Sequence, residues 1–192
     1  FENPVWMYAG ARYALLQKGR QAEILGCFMP DFGAFGTWWE QYYVRHTCQE
    51  GAGALPMYAD LPLAFDGLDT MMQGGERRVF ETLLQVPERC FQKVNIEMDW
   101  KDYDGLGFLS GHSVAEAENA LFDAMVQTHA AADVPMIVLS AEKLDAPQLG
   151  ELLYFFELTA ALCAATDGLA PFEAGRHQPS RRQAAAALAG EG

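Results

Sequence analysis

The chain of 192 residues is long enough for one domain with a sizeable core, since 51% of its residues are hydrophobic. Its formal net charge of −13 argues against nucleic acid as a partner, because phosphate binding requires an excess of Lys and Arg. No uninterrupted apolar run reaches the roughly 18 residues that a membrane span needs, so no membrane partner is predicted.

The four cysteines lie far apart and form no CxxC pair, which indicates neither a zinc site nor a disulfide framework. Cys27 and Cys163 lie in apolar runs and are predicted to be buried thiols. No signal-like segment opens the chain, and these features together are typical of a cytoplasmic protein. The first residue is Phe1 rather than Met, which is compatible with a longer parent protein.

The first third of the chain predicts helix, strand, helix and strand. Asn3 and Pro4 can cap and open a helix that ends near Gly19. The apolar runs Glu23–Met29 and Ala54–Asp60 are predicted strands.

Between these two strands lies an aromatic helix. Its aromatic residues recur at helical spacing and predict one face packed on a sheet: Trp38, Trp39, Tyr42 and Tyr43. Glu40 and Arg45 are predicted to point away from that face, and Gly51 and Gly53 end the helix.

The rest of the chain predicts a loop, further strands and two long helices. Leu61–Thr70 is interpreted as a loop because it contains Pro62 and Gly67. Three strands are predicted: Val79–Val86, Phe91–Met98 and Val134–Ser140, the last one buried and parallel.

Two helix starts have capping signals in this part of the chain. Ser113 opens a capping box before a helix that runs to His129. Asp145 caps a helix from Leu149 to about Thr166, which is apolar nearly all round and is predicted to be buried.

Strands alternating with helices predict an α/β fold with a doubly wound, mainly parallel sheet of four or five strands and helices on both faces. Ligands of such sheets bind at the carboxyl ends of the strands, on the connecting loops. The loops after Met29, Asp60, Met98 and Ser140 are therefore candidate ligand positions.

Several segments, taken in their order and spacing, resemble one known family. They are Tyr8–Leu25, Trp38–Gln41, Arg77–Val86, Asp104–Gly111, His129–Leu144, Leu149–Glu157 and Gly168–Gly175. Together they resemble the C-terminal sugar-isomerase (SIS) domain of the bacterial glucose-6-phosphate isomerase family. The resemblance implies a flavodoxin-like SIS domain over residues 1–175 and a helical tail over 176–192. It also implies that the complete family enzyme has an earlier SIS domain, with a Ser/Thr-rich phosphate loop, that this chain lacks.

The family's reaction interconverts glucose 6-phosphate and fructose 6-phosphate through an enediol. It needs a carboxylate that moves a proton between C1 and C2, a group that helps to open the ring, and donors for the phosphate. The resemblance implies no cofactor and no metal.

Three of the family's functional positions carry other residues in this chain. In the motif Gln-x-x-x-Glu-Ser-x-Gly-Lys, Gln41 is kept but Arg45 stands at the position of the base. Asp66 stands where the ring-opening His is expected, and Arg181 where the Lys is expected. Glu173 and Ala174 also replace the Asp and Gln of the family's C-terminal signature. An arginine cannot act as the base because it stays protonated at any working pH.

Other residues are candidates for the altered site. Gln41 and His46 are possible sugar ligands, His46 and Asp66 could form a new acid–base pair, and Glu50 is the nearest carboxylate that could replace the base. Each of these residues also fits an ordinary solvated position on an acidic protein.

Three functions therefore remain open from the sequence. The chain could be a sugar-phosphate aldose–ketose isomerase, a non-catalytic domain that binds a sugar phosphate or another anionic sugar, or a structural fragment that needs an N-terminal SIS half. The many aromatic residues further predict a homodimer, or a large apolar surface that the missing half covers.

Overall fold

The computed structural model describes residues 3–49, 51–75, 77–87, 94–97, 101–172 and 179–189. These ranges contain six α-helices: α1 (Pro4–Gln17), α2 (Gly33–Thr47), α3 (Leu61–Gly74), α4 (Val114–Ala131), α5 (Ala146–Thr166) and α6 (Pro179–Ala189). They also contain four strands: β1 (Ala22–Cys27), β2 (Leu55–Asp60), β3 (Val79–Gln85) and β4 (Met136–Ser140). Short 3-10 helices lie at Pro30–Phe32 and Gly107–Leu109.

The four strands form one parallel sheet in the order β2-β1-β3-β4. Ala22 at the start of β1 lies opposite Leu55 of β2 and Val79 of β3. The prediction of a doubly wound parallel α/β sheet is confirmed, and the strand order is that of the first four strands of a flavodoxin-like sheet. The strand order reverses between β1 and β3, so this is the topological switch point.

Helices cover both faces of the sheet, and the central strands β1 and β3 are accordingly buried along nearly their whole length. On one face, α1, α2 and α5 enclose a core that includes Leu25, Trp39 and Phe156. On the other face, α3 and α4 enclose a core that includes Ile24 and Leu83. Cys27 and Cys163 are buried thiols, as the sequence predicted.

The segment predicted as a loop after β2 is instead helical. Asp60 is the N-cap residue of α3, and Pro62 occupies its first turn, where a proline costs no hydrogen bond. Leu61, Leu68 and Met72 lie at helical spacing and are buried against the sheet. The proline that suggested a loop therefore marks a helix start.

Two elements predicted to be buried are partly exposed. Helix α5 packs on α1 and α2 through Phe156 and Ala160, but Tyr154 is 62% exposed on its outer face. Strand β4 is at the edge of the sheet, and its Val138 is 41% exposed. An apolar composition does not reveal whether an element lies in the middle or at the border of a layer.

Among the described residues, α5 is also the one helix that is long and apolar enough to cross a membrane by length and composition. Of its most apolar stretch, 28% is buried within the fold, and its main contacts are with α1 and α2. Half of the predicted strand Phe91–Met98 lies outside the described residues, and the described half, 94–97, forms no regular strand. Within 94–97, Asn95 forms an isolated antiparallel bridge with Ser113, next to the predicted capping box of α4, which is confirmed.

Helix α2 lies unusually close to strand β2. A Cβ atom on Gly36 would come within 2.2 Å of the Tyr58 ring, so only glycine fits at this contact. One turn later, the Glu40 carboxylate accepts a hydrogen bond of 2.6 Å from the Tyr58 backbone N–H. Glu40 was predicted to point away from the sheet. It instead satisfies a donor on an edge strand, which would otherwise be free to pair with another chain.

We predict that Gly36→Ala destabilises the fold by about 1–3 kcal/mol, because the added methyl group must displace the Tyr58 ring or push α2 from the sheet. Gly10→Ala is the matched control. A Cβ atom at Gly10 in α1 meets no atom within 4 Å, so this change should be neutral or stabilise by up to about 1 kcal/mol. Urea unfolding measures the free energy of unfolding of both variants. Equal effects of the two substitutions would contradict the close contact between Gly36 and Tyr58.

A fully buried ion pair joins α1 to the centre of the sheet. Arg12 Nε lies 2.5 Å from Glu23 Oε2, and both side chains have no exposed surface. The other Glu23 oxygen accepts hydrogen bonds from the Tyr8 hydroxyl and from Thr82 Oγ1 of β3. Arg12 also donates to the Ala54 carbonyl oxygen and lies over the Tyr43 ring of α2. One carboxylate and one guanidinium thus connect α1, β1, β3 and α2.

We expect Arg12→Met to cost about 3–5 kcal/mol in the free energy of unfolding, because it leaves the Glu23 carboxylate buried without its cation. Replacing both residues by Met should recover part of that loss. Lys143→Met, in the exposed pair of Lys143 and Asp145, should cost less than about 1 kcal/mol. Chemical unfolding of these variants and the unmodified chain tests this, and an Arg12 variant as mild as the Lys143 variant would refute it.

Candidate functional site

Three sequence-predicted site residues lie on the outer side of α2. The helix starts beyond the carboxyl end of β1 and returns the chain to the amino end of β2, so its last turn lies toward the amino-terminal edge of the sheet. Arg45 and His46 are in that last turn, and Gln41 lies one turn earlier. Gln41 and Arg45 are exposed, while His46 is half-buried. The rigid helix therefore presents an amide and a guanidinium to solvent, next to an imidazole.

Three closely spaced rings lie in a row beside these polar groups. Trp38, Tyr42 and His46 are four residues apart and share one side of α2. The ring centroids of Trp38 and Tyr42 are 5.3 Å apart, and those of Tyr42 and His46 are 4.4 Å apart. Half-buried rings next to a few convergent polar groups are the usual composition of small-molecule sites.

His46 also connects α2 to the segment that follows α5. Its side chain contacts the Pro171 backbone through a hydrogen bond. Burial lowers the pKa of His46 below the ordinary 6.5, the Pro171 hydrogen bond opposes this, and the nearby Arg45 charge lowers it further. At neutral pH the imidazole is therefore uncharged and can accept a proton or a hydrogen bond.

The structure thus brings together two of the segments that carry the family resemblance, Trp38–Gln41 with the residues after it and Gly168–Gly175. Of the second segment, residues 168–172 are described, and Glu173 and Ala174 lie outside the described residues. Glu50 also lies outside them.

Asp66 does not join this group. It lies exposed in the second turn of α3, which starts directly at the carboxyl end of β2. Helix α3 covers the opposite face of the sheet from α2. Asp66 and Arg45 are therefore on opposite faces and toward opposite edges, so His46 and Asp66 form no acid–base pair within one chain. Arg181 is exposed in α6.

A small cleft at the topological switch point was not assigned from the sequence. It opens at the carboxyl ends of β1 and β3. Its lining is mostly apolar and includes two polar side chains, Gln85 and Asn119. The Gln85 amide oxygen also accepts from Ser140 Oγ at 3.3 Å. The rule that ligands bind beyond the carboxyl ends of strands predicted this edge of the sheet. Asn119 lies on α4 and does not follow a strand, so that rule could not identify it.

A second buried polar cluster joins β3, α3 and α4. His129 Nδ1 lies 2.7 Å from Glu81 Oε2, and His129 Nε2 lies 3.0 Å from Asp69 Oδ1. Burial raises the pKa of Glu81, and the hydrogen bond with His129 partly offsets that rise. His129 is buried with both ring nitrogens paired. In the described ranges, no group of three or more His, Cys, Asp or Glu side chains is arranged to hold a metal ion.

We predict that His46 titrates below the ordinary pKa of 6.5 and that Arg45→Ala raises this value. Because the folded-state pKa is lowered, the group's contribution to stability is present above pH 6.5 and decreases as the pH falls below it. NMR titration of the imidazole resonances measures the shift. Lys101→Ala, far along the chain in the segment after β3, is the control and should leave the pKa of His46 unchanged. A pKa above 6.5 in the unmodified protein would contradict the prediction.

Comparison with known proteins relates nearly the whole chain to one enzyme. Glucose-6-phosphate isomerase of Enterococcus faecalis is 30% identical over 172 residues, which is 90% of this chain and 38% of that protein. The Clostridium tetani enzyme of the same name is 33% identical over the same shares. The chain therefore spans about two fifths of the length of these curated relatives. No family model matches the chain.

The fold has a close counterpart among solved structures. A hypothetical protein from Thermus thermophilus superimposes with a TM-score of 0.82 over 94% of this chain and 44% of that one. At 14% sequence identity, this likeness concerns the fold alone. The sequence similarity relates this chain to part of glucose-6-phosphate isomerase.

Proposed function

We propose that this chain is a SIS-type domain that serves aldose–ketose isomerisation of the glucose-6-phosphate isomerase kind by binding the anionic sugar. We further propose that it does not by itself supply the proton-transferring carboxylate. The observation that carries this proposal is the position of Arg45, a permanent cation in the last turn of α2 where the resembling enzymes have their base. Gln41 lies one turn before it, as in the family motif.

The chemistry of the reaction separates binding from proton transfer. A base takes the proton from C2 of the open-chain aldose, an enediol forms, and the proton is returned at C1. The Arg45 guanidinium can form paired hydrogen bonds with a phosphate or stabilise a developing enediolate oxygen. It cannot take the C2 proton because arginine stays protonated in proteins. Arg45 therefore suits binding and charge stabilisation rather than the proton-transfer step.

The positions of the other candidates support the same division. Asp66 lies on the opposite face of the sheet from Arg45 and His46, so within one chain these groups do not act on the same carbon atoms. The neutral imidazole of His46 and the exposed amide of Gln41 are suited to hydroxyl groups of the sugar. The ring faces of Trp38 and Tyr42 lie next to them and offer an apolar surface to the sugar's carbon skeleton.

A second candidate function is catalysis by this chain with Glu50 as a substitute base. It is favoured by the similarity to isomerases along 90% of the chain. It requires the carboxylate that follows α2 to reach the sugar held by Arg45. In a homodimer, or with an N-terminal SIS half, Asp66 and Arg181 could also contribute to a site on a neighbouring chain. That assembly and a cytoplasmic location remain predictions.

We expect the purified chain to show no measurable glucose-6-phosphate isomerase activity in a coupled assay. General-base catalysis contributes about 10²–10⁴-fold, so its loss removes several kcal/mol of barrier lowering. Glucose 6-phosphate should nevertheless raise the melting temperature, and a saturating ligand at about 100 times its dissociation constant stabilises by about 2.7 kcal/mol. Arg45→Glu should abolish the melting shift, whereas Lys101→Glu, which makes the same change of charge elsewhere, should not.

The assay also distinguishes the two candidate functions. Robust turnover by the unmodified chain that Glu50→Gln abolishes would establish the second candidate and overturn the first. A melting shift that Arg45→Glu leaves intact would remove Arg45 from the binding site. Neutral hexoses and sulfonated or carboxylated sugars, tested in parallel, identify which group of the ligand is recognised.

A further inference from the structure

A second cationic cavity lies on the other face of the sheet from Arg45. It is small and partly open to solvent, and it is formed where the chain enters β1, β3 and β4, at the amino-terminal edge. Its lining includes two basic residues, Arg20 and Arg77. The apolar lining comes from Met72, Val79, Val134 and Pro135.

Both arginines are held in place by backbone carbonyl oxygens. Arg20 Nη1 donates to the carbonyl oxygen of Arg77, and Arg77 Nη1 donates to that of Ala132. Each guanidinium has five N–H donors in a planar fork, so most of its donors are not used by these bonds. Arg20 Nε is buried and has no hydrogen-bond partner within the described part of the chain. A buried donor without a partner is costly, and a ligand that accepts from it would remove that cost.

Neither arginine forms an ion pair with a carboxylate among the described residues. This is unusual in a chain with 26 acidic and 13 basic side chains. Asp69 and Glu81 both contact the ring nitrogens of His129. Asp133 is exposed and lies between Ala132, to which Arg77 donates, and the lining residue Val134. Two guanidinium groups against this one carboxylate leave the cavity with a net positive charge.

We propose that the cavity between Arg20 and Arg77 binds a tetrahedral oxyanion, either free phosphate or the phosphoryl group of a small phosphomonoester. The two guanidinium forks match the geometry of phosphate oxygens, and charge-assisted bonds of this kind are the strong ones. The cavity is smaller than the roughly 300–1,000 Å³ of typical ligand pockets and is partly open to solvent, so it accommodates the anionic group and not a whole sugar. This site is separate from the Arg45 surface and does not depend on the proposed sugar-binding role.

Thermal unfolding in inorganic phosphate, at an ionic strength held constant with chloride, tests the proposal. The melting temperature of the unmodified chain should rise and saturate with phosphate. Arg77→Gln removes an exposed side chain and should raise the half-saturating concentration about tenfold or more. Arg77→Lys keeps the charge but loses the fork, and should give an intermediate value. Lys101→Ala should leave the phosphate response unchanged.

Glycerol 3-phosphate in a parallel titration distinguishes the two sources of the anion. Half-saturation at a lower concentration than for inorganic phosphate assigns the site to phosphomonoesters, and the reverse order assigns it to free phosphate. The proposal is overturned if no saturable shift occurs at constant ionic strength, or if Arg77→Gln responds like the unmodified chain. It is also overturned if the response is lost in Arg45→Ala, since the anion would then bind on the α2 face. Circular dichroism of each variant verifies that the fold is retained.

Discussion

The buried pair of Arg12 and Glu23 is the constraint on which the arrangement of this domain depends. A carboxylate on β1, inside an apolar layer, is tolerated only if its lone pairs and charge are satisfied there. Tyr8 and Arg12 from α1 and Thr82 from β3 provide those partners, so α1 cannot slide along the sheet without exposing an unpaired charge. Arg12 also lies over the Tyr43 ring, so the same pair determines where the last turns of α2 lie. The proposed sugar-binding residues are in those turns.

The inner side of α2 fixes the position of the helix, and its outer side can therefore carry different residues. Its inner side is held by the Gly36–Tyr58 contact, the Glu40 hydrogen bond and the buried Trp39 and Tyr43 rings. The outer side makes few of these contacts, so an arginine is accommodated at position 45 as easily as a glutamate. The fixed inner side and the arginine at position 45 are together what supports the proposed binding role in place of independent catalysis.

The sheet has two edges with different chemistry. At the carboxyl-terminal edge, Gln85 and Asn119 line an uncharged cleft at the switch point. At the amino-terminal edge, Arg20 and Arg77 face one cavity, and Arg45 lies on the other side of the sheet. Several positive charges of an acidic protein therefore lie where the strands begin. This distribution favours anionic ligands at that edge even though the net charge is −13.

Local signals in the sequence determined much of the fold. The Asn3 and Ser113 caps, the apolar strands and the aromatic spacing of α2 predicted the elements and the parallel sheet, because each depends on neighbours only a few residues away. Their interpretation failed where a local signal had two meanings, as when Pro62 opened a helix and not a loop. The tertiary structure alone decided which residues meet. It turned Glu40 toward Tyr58, separated Asp66 from Arg45, and brought Arg20 beside Arg77 across 57 positions. Those contacts depend on strand order and on which face each crossover helix covers, and neither is encoded in the spacing of residues along one segment.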